Sequence, residues 1–200
     1  MRKPSPVSFR SLAVPVLILG VVLAVSWMAS RSRDSGSPKP LQPVAFQGPQ
    51  RIPGGLEGGV DWINTAGPIH LEDLKGKLVL LDFWTYCCIN CHHILPDLEY
   101  LEKKYPNELV VIGVHTGKFP AEKDTDNIRK KVAEYKIQHP VINDANEVLW
   151  NRFFVSSWPT LVLLDANGNY VGSAPGEGNR DILDKTIGKL IDQHKARNEL

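Results

Sequence analysis

Residues 78–93 read LVLLDFWTYCCINCHH, an apolar run broken by one carboxylate, followed by three cysteines within five positions and two histidines. Residues 78–84 have the nearly continuous apolar character of a strand buried on both faces, not the alternation of a half-exposed one. Beyond the cysteines, Ile94, Leu95, Leu98, Leu101 and Tyr105 recur at helical spacing with Glu and Lys between them. Pro96 interrupts the regular hydrogen bonding of that helix near its start. The cysteines therefore stand where a buried strand turns into a helix.

Working outward, LVVIGVH at 109–115 is a second buried strand, and Ile128, Val132 and Tyr135 mark the apolar face of a second helix. TLVLLD at 160–165, ANGN and YVGS then read as two strands joined by a tight turn, with Asn167-Gly168 as the hairpin signal. A last helix covers roughly 180–195. Strand, helix, strand, helix, hairpin, helix is the order of an α/β sheet with helices on both faces.

Several chemistries fit the cysteines. Cys88 and Cys91 frame C-x-x-C, a redox pair, and His92 extends it to the spacing for covalent haem attachment. Cys87 and Cys91 frame C-x-x-x-C, which with His115 offers two thiolates and an imidazole to copper. Zinc is a further option by letters alone. Haem loses because the chain's methionines are Met1 and Met28, far from the motif, and the flanking sequence is strand-rich. A peroxidase pattern needs proline where Leu81 stands. Position favours disulfide exchange. Cys88 falls at the first turn of a helix, where free N–H groups and the positive dipole end stabilise a thiolate. Cys91, one turn deeper, can attack a mixed disulfide formed on Cys88. Copper binding or delivery through Cys87, Cys91 and His115 is the alternative.

With 42% hydrophobic and 22% charged residues, the 200-residue chain has material for one globular domain. A net charge of +1 and the lack of a basic run interleaved with aromatics argue against nucleic acid as a partner. The amino terminus is set apart. Arg2, Lys3 and Arg10 precede LAVPVLILGVVLAVSWMA at 12–29, an uncharged apolar run just long enough to span a bilayer. Trp27, three residues before Ser30, is too large for a signal-cleavage site, so residues 1–33 read as an uncleaved anchor. The charge asymmetry puts the body on the extracytoplasmic side. Residues 34–59, rich in Pro, Gly, Ser and Gln, read as a flexible tether, and 60–200 as the folded domain.

LLDFWTYCCINC resembles the strand and active-site turn of the thioredoxin superfamily. Asp82, six residues before Cys88, matches the family's buried carboxylate, and Pro96, five after Cys91, matches its helix kink. SSWPT at 156–160 resembles the loop whose cis-proline faces the disulfide. The anchor, the tether and DWINTAGPIHLEDLKGKLVLLDFW look like those of membrane-anchored, exported thiol–disulfide oxidoreductases. FWTYCCINC, VIGVH, KFPAEK and WPTLVLLD are more similar to the thioredoxin-like domain of NHL-repeat proteins. The resemblance implies a central mixed β-sheet flanked by helices and a redox-active disulfide between Cys88 and Cys91. It also implies Asp82 as proton acceptor, Trp158 and Pro159 at the substrate, and no metal or diffusible cofactor. Partners would be protein thiols or disulfides and a dithiol donor or acceptor. Cys87 replaces the family's Trp, and Ile89-Asn90 its Gly-Pro, so reductant or oxidant character does not carry over.

Each residue also has a plainer role. Cys87 is either a small buried hydrophobe or a third thiol open to oxidation. Asp82 could be a salt-bridged structural carboxylate, His92 and His93 solvated helix residues, His115 a core histidine and Trp158 packing alone.

Overall fold

The computed structural model describes residue 52 and residues 54–200, so the expected anchor at 12–29 and most of the tether lie outside the described residues. Among the described residues, no helix is long and apolar enough to cross a membrane. The elements are β1 (Asp61–Ile63), β2 (Leu78–Trp84), α1 (Ile89–His93), α2 (Leu95–Lys104), β3 (Leu109–His115) and α3 (Thr125–Glu134). They continue with β4 (Val141–Asn143), α4 (Val148–Arg152), β5 (Thr160–Leu164), β6 (Tyr170–Pro175) and α5 (Arg180–Ala196). One-turn 3-10 segments cover Leu71–Leu74 and Pro120–Lys123.

The sheet order is β1-β4-β3-β2-β5-β6. β2, β3 and β4 run parallel, while β1 joins β4, β5 joins β2 and β6 joins β5 antiparallel. It is the mixed sheet expected. Every residue of β2 is buried, because both faces are covered. Leu78 and Leu80 pack with Leu98 and Leu101 of α2 and Leu183 and Ile187 of α5. Val79, Leu81 and Phe83 face the other way, against Leu149 of α4 and Leu56. Toward the end of β2, Trp84 meets Ile128 and Val132 of α3 together with Cys91.

Local chemistry sets the breaks. Ile94 ends α1 and starts α2, and Pro96 falls in the first turn of α2, where an N–H is not required. Asp124 caps α3 by accepting the Asn127 N–H at 3.0 Å. The β5–β6 hairpin is not a two-residue turn with both central residues left-handed, since only Gly168 has positive φ there. The Asp165 carboxylate instead accepts the N–H groups of Asn167 and Asn169, and the register slips between Leu163 and Leu164. Three-residue β1 and β4 and five-residue α4 are too short to show a period, and so are absent from the sequence reading. The end of the stretch read as tether packs onto the domain: Leu56 is buried, and the Arg152 guanidinium donates to the carbonyls of Gly55 and Glu57.

Candidate active site

β2, an interior strand, delivers the chain to the carboxyl ends of the parallel strands at Trp84, and the next four residues form the turn that presents the thiols. Cys88 is the N-cap of α1, extended at φ −89°, and its carbonyl accepts the Cys91 N–H at 3.1 Å. It is half-buried, whereas Cys91 is only 2% exposed beneath it. The two thiols lie close together. Burial, then the neighbouring Cys88 thiol, push the Cys91 thiol far above the ordinary thiol range, with the nearby Asp82 carboxylate adding to the effect.

Asp82 sits on the same face of β2 as Trp84 and is 1% exposed. It has no salt bridge within the described residues, and its Oδ1 has no hydrogen-bond partner there. Burial raises its pKa from 3.8 to about 7, slightly countered by His139. A salt-bridged structural carboxylate is therefore not what stands here.

The turn is held from several sides. Glu122, 2% exposed on the 3-10 segment, accepts the Thr85 hydroxyl at 2.7 Å and the Cys87 N–H at 3.2 Å on Oε1. Its Oε2 accepts the N–H groups of Lys118 and Phe119 at 2.9 and 3.0 Å. Burial alone would raise this carboxyl, but the hydrogen bonds from Cys87, Thr85 and the backbone outweigh it and hold Glu122 below its usual value. The Tyr86 N–H donates to His115 Nε2 at 3.2 Å, and the Tyr86 carbonyl accepts from the Tyr135 hydroxyl and meets His92 Nε2. Glu122 was missed from sequence. A carboxylate just after Pro120 signals a helix start, but nothing local says that it reaches residues 85 and 87.

Cys87 is exposed, which overturns its reading as a small buried hydrophobe. Desolvation, followed by the Glu122 carboxylate, raises its thiol pKa. His92 is half-buried against Tyr135, with centroids 4.2 Å apart, and His93 is exposed beside Glu177 at 2.9 Å. The copper set does not assemble. His115 is fully buried and its Nε2 is occupied by Tyr86, while Cys87 is exposed, its N–H held by Glu122, and Cys91 is buried. No group of three or more His, Cys, Asp or Glu side chains among the described residues is arranged to hold a metal ion.

The antiparallel pairing of β5 with β2 sets Thr160 opposite Phe83, which brings the preceding Trp158 and Pro159 to the cysteine turn. The Trp158–Pro159 bond is cis. Trp158 packs on the cluster that contains Cys88 and Cys91, stacks on Trp150 at 4.4 Å, and donates from Nε1 to the Thr116 carbonyl at 3.1 Å. Residues far apart in sequence, 82, 88, 91, 158 and 159, thus converge.

A model of the thioredoxin-like family matches residues 76–170. Over 142 residues the chain is 48% identical to Protein SUPPRESSOR OF QUENCHING 1, chloroplastic, of Arabidopsis thaliana, covering 70% of this chain and 14% of that protein. Over 145 residues it is 48% identical to NHL repeat-containing protein 2 of Homo sapiens, covering 71% of this chain and 20% of that protein. The match thus spans a fifth or less of these relatives' own length. The solved exposed lipoprotein thioredoxin of Streptococcus pneumoniae superposes with a TM-score of 0.55 at 30% identity, over 61% of this chain and 91% of that one. That coverage of a solved thioredoxin, together with the family model across the sheet's centre, places the chain in the thioredoxin-like family of thiol–disulfide oxidoreductases.

Proposed function

We propose that the chain is a membrane-tethered thiol–disulfide oxidoreductase that exchanges disulfides with protein partners through Cys88 and Cys91. The observation that carries this reading is the placement of a partly accessible Cys88 at a helix start beside a buried Cys91 whose N–H donates to the Cys88 carbonyl. Cys88 as thiolate attacks a partner disulfide, forming a mixed disulfide and releasing one partner sulfur as thiolate. Cys91 then attacks Cys88 Sγ. The Cys88–Cys91 bond forms, the second partner sulfur leaves with its electron pair, and Asp82 takes the Cys91 proton. A thiol held this far above its usual pKa needs such an acceptor, and a carboxyl poised at about 7 suits both directions of transfer. Trp158 and Pro159 supply an apolar wall beside Cys88 against which an extended partner segment lies.

Residues 1–33 act as anchor and the stretch after them, up to the segment around Leu56 that packs on the domain, as tether, holding the thiol pair on the extracytoplasmic side, where a dithiol partner supplies or removes electrons. The pneumococcal relative's description as an exposed lipoprotein thioredoxin supports a tethered arrangement. The test is a Cys91→Ser chain, which stalls at the mixed disulfide and carries its partners through a non-reducing gel. Capture that is equally strong in Cys88→Ser would refute the assignment of Cys88 as nucleophile.

A further inference from the structure

We propose that His139 and Glu102 form the path by which protons pass between Asp82 and solvent, through a water molecule held beside Gly113 by Asp82, Trp84 and His139. The assignment rests on Asp82 being the group that takes the Cys91 proton.

Five buried side-chain polar atoms lack hydrogen-bond partners among the described residues, Asp82 Oδ1, Trp84 Nε1, His115 Nδ1, His139 Nε2 and Asn143 Oδ1, and those of Asp82, Trp84 and His139 are grouped around Gly113. Asp82 and Gly113 are opposite each other in the parallel β2–β3 register, and Val141 of β4 is opposite Gly113, so the three positions line up on one face. Trp84, two residues on from Asp82, shares it. A Cβ built on Gly113 would stand 3.0 Å from Trp84 Nε1 and 3.6 Å from His139 Nε2. The absent side chain is what lets both atoms turn toward the same spot.

The chemistry of the three atoms is complementary to water. Trp84 Nε1 only donates, ionised Asp82 only accepts, and the third partner is an imidazole nitrogen. His139 Nδ1 lies 3.5 Å from both carboxylate oxygens of Glu102. A carboxylate only accepts, so this contact favours the tautomer with the proton on Nδ1 and Nε2 as acceptor. One water that accepts from Trp84 and donates to Asp82 and His139 satisfies all three. Buried polar groups left unpaired are costly, and bridging waters with this number of partners are their usual remedy.

His139 also has a way out. Its side chain is 5% exposed, whereas that of Glu102 is 33% exposed. Both line a surface pocket of about 320 Å³ between α2 and the segment after α3, bordered by Leu95, Pro96, Tyr135 and Gln138. Asn64 fixes this segment by donating to the carbonyls of Ile137 and His139. The step balances as follows. Cys91 gives its proton to Asp82 as the Cys88–Cys91 bond forms and the partner thiolate leaves. Asp82 passes a proton to the water as the water gives one to His139 Nε2, and the imidazolium releases its Nδ1 proton through Glu102 to solvent.

Ellman's reagent separates the two chemical steps in a Cys87→Ser background, since attack by Cys88 releases the first chromophore and attack by Cys91 the second. In the full chain, His139→Ala slows the second phase about tenfold, less than the roughly 10²–10⁴-fold of a direct general acid or base because His139 acts behind Asp82, and leaves the first unchanged. Imidazole, small enough for the pocket, restores much of the lost rate, which a purely structural histidine would not allow. Glu102→Gln, at the surface and safe for folding, slows the second phase several-fold, about half a decade. If His139→Ala does not fold, the Glu102→Gln rate decides. An unchanged second phase in these variants, with Asp82→Asn slow, overturns the relay and leaves Asp82 as acceptor. Slowing without imidazole rescue also overturns it. If Asp82→Asn itself resolves at the normal rate, the acceptor role fails, and the relay with it.

Discussion

Replacing Asp82 by Asn should make the protein more stable at alkaline pH while impairing disulfide resolution. Burial raises this carboxyl from 3.8 to about 7. Between those values the unfolded chain has released the proton and the folded chain has kept it, so stability falls as pH rises, and above about pH 7 the full penalty is present. At 1.36 kcal/mol per pH unit the span amounts to about 4 kcal/mol, an upper bound because a folded chain relaxes around the charge. Asparagine carries no charge to desolvate. The Asp82→Asn chain should therefore gain up to about 4 kcal/mol over wild type near pH 8 and nothing below about pH 4, where both side chains are neutral. Urea unfolding of the reduced proteins across this range measures the difference directly. A constant offset between the two curves would refute the reasoning, because it would mean that Asp82 ionises alike in both states.

Cys88→Ser should abolish insulin reduction in a turbidity assay while Cys87→Ser keeps most of it, and equal loss in both would undo the nucleophile assignment. Glu122→Gln should cost about 2–3 kcal/mol in thermal or urea unfolding, since four donors lose a charged acceptor, and should speed alkylation of the exposed Cys87 by relieving its thiolate of a neighbouring carboxylate. His115, buried and lowered from 6.5 to about 4, remains neutral in the fold while the unfolded chain takes a proton, so stability is lost as pH falls through that window. His115→Gln should remove up to about 3 kcal/mol of that acid loss, read as the difference between wild-type and variant curves. A reporter active only outside the cytoplasm, fused after Leu200, should be active, and the reverse result would reject the proposed topology.

What the chain shows without coordinates is whatever lies in short, periodic stretches. β2 and β3 were legible to the residue because each is a nearly continuous apolar run, broken by Asp82 in one and ended by His115 in the other, and α2, α3 and α5 because their apolar residues recur at helical spacing. The cysteine turn was legible for the same reason, since strand end, thiols and helix start are contiguous. β1, β4 and α4 were not, because three to five residues carry no period and owe their structure to the neighbours they pair with or cover.

The candidate site divides along the same line. That Cys88 and Cys91 lie close together and that Asp82 lies in an apolar strand followed from sequence spacing, because a helix start and a buried strand each act on residues beside them. Only the tertiary structure decided that Cys87 is exposed and Cys91 buried, since one residue of difference on a turn depends on what packs beneath it. It alone brought Glu122 to Thr85 and Cys87, withheld His115 from a metal set by giving its Nε2 to Tyr86, and set His139 and Trp84 about the bare face of Gly113. Those partners lie tens of residues apart, and their meeting is fixed by sheet order and register, which local propensity does not encode.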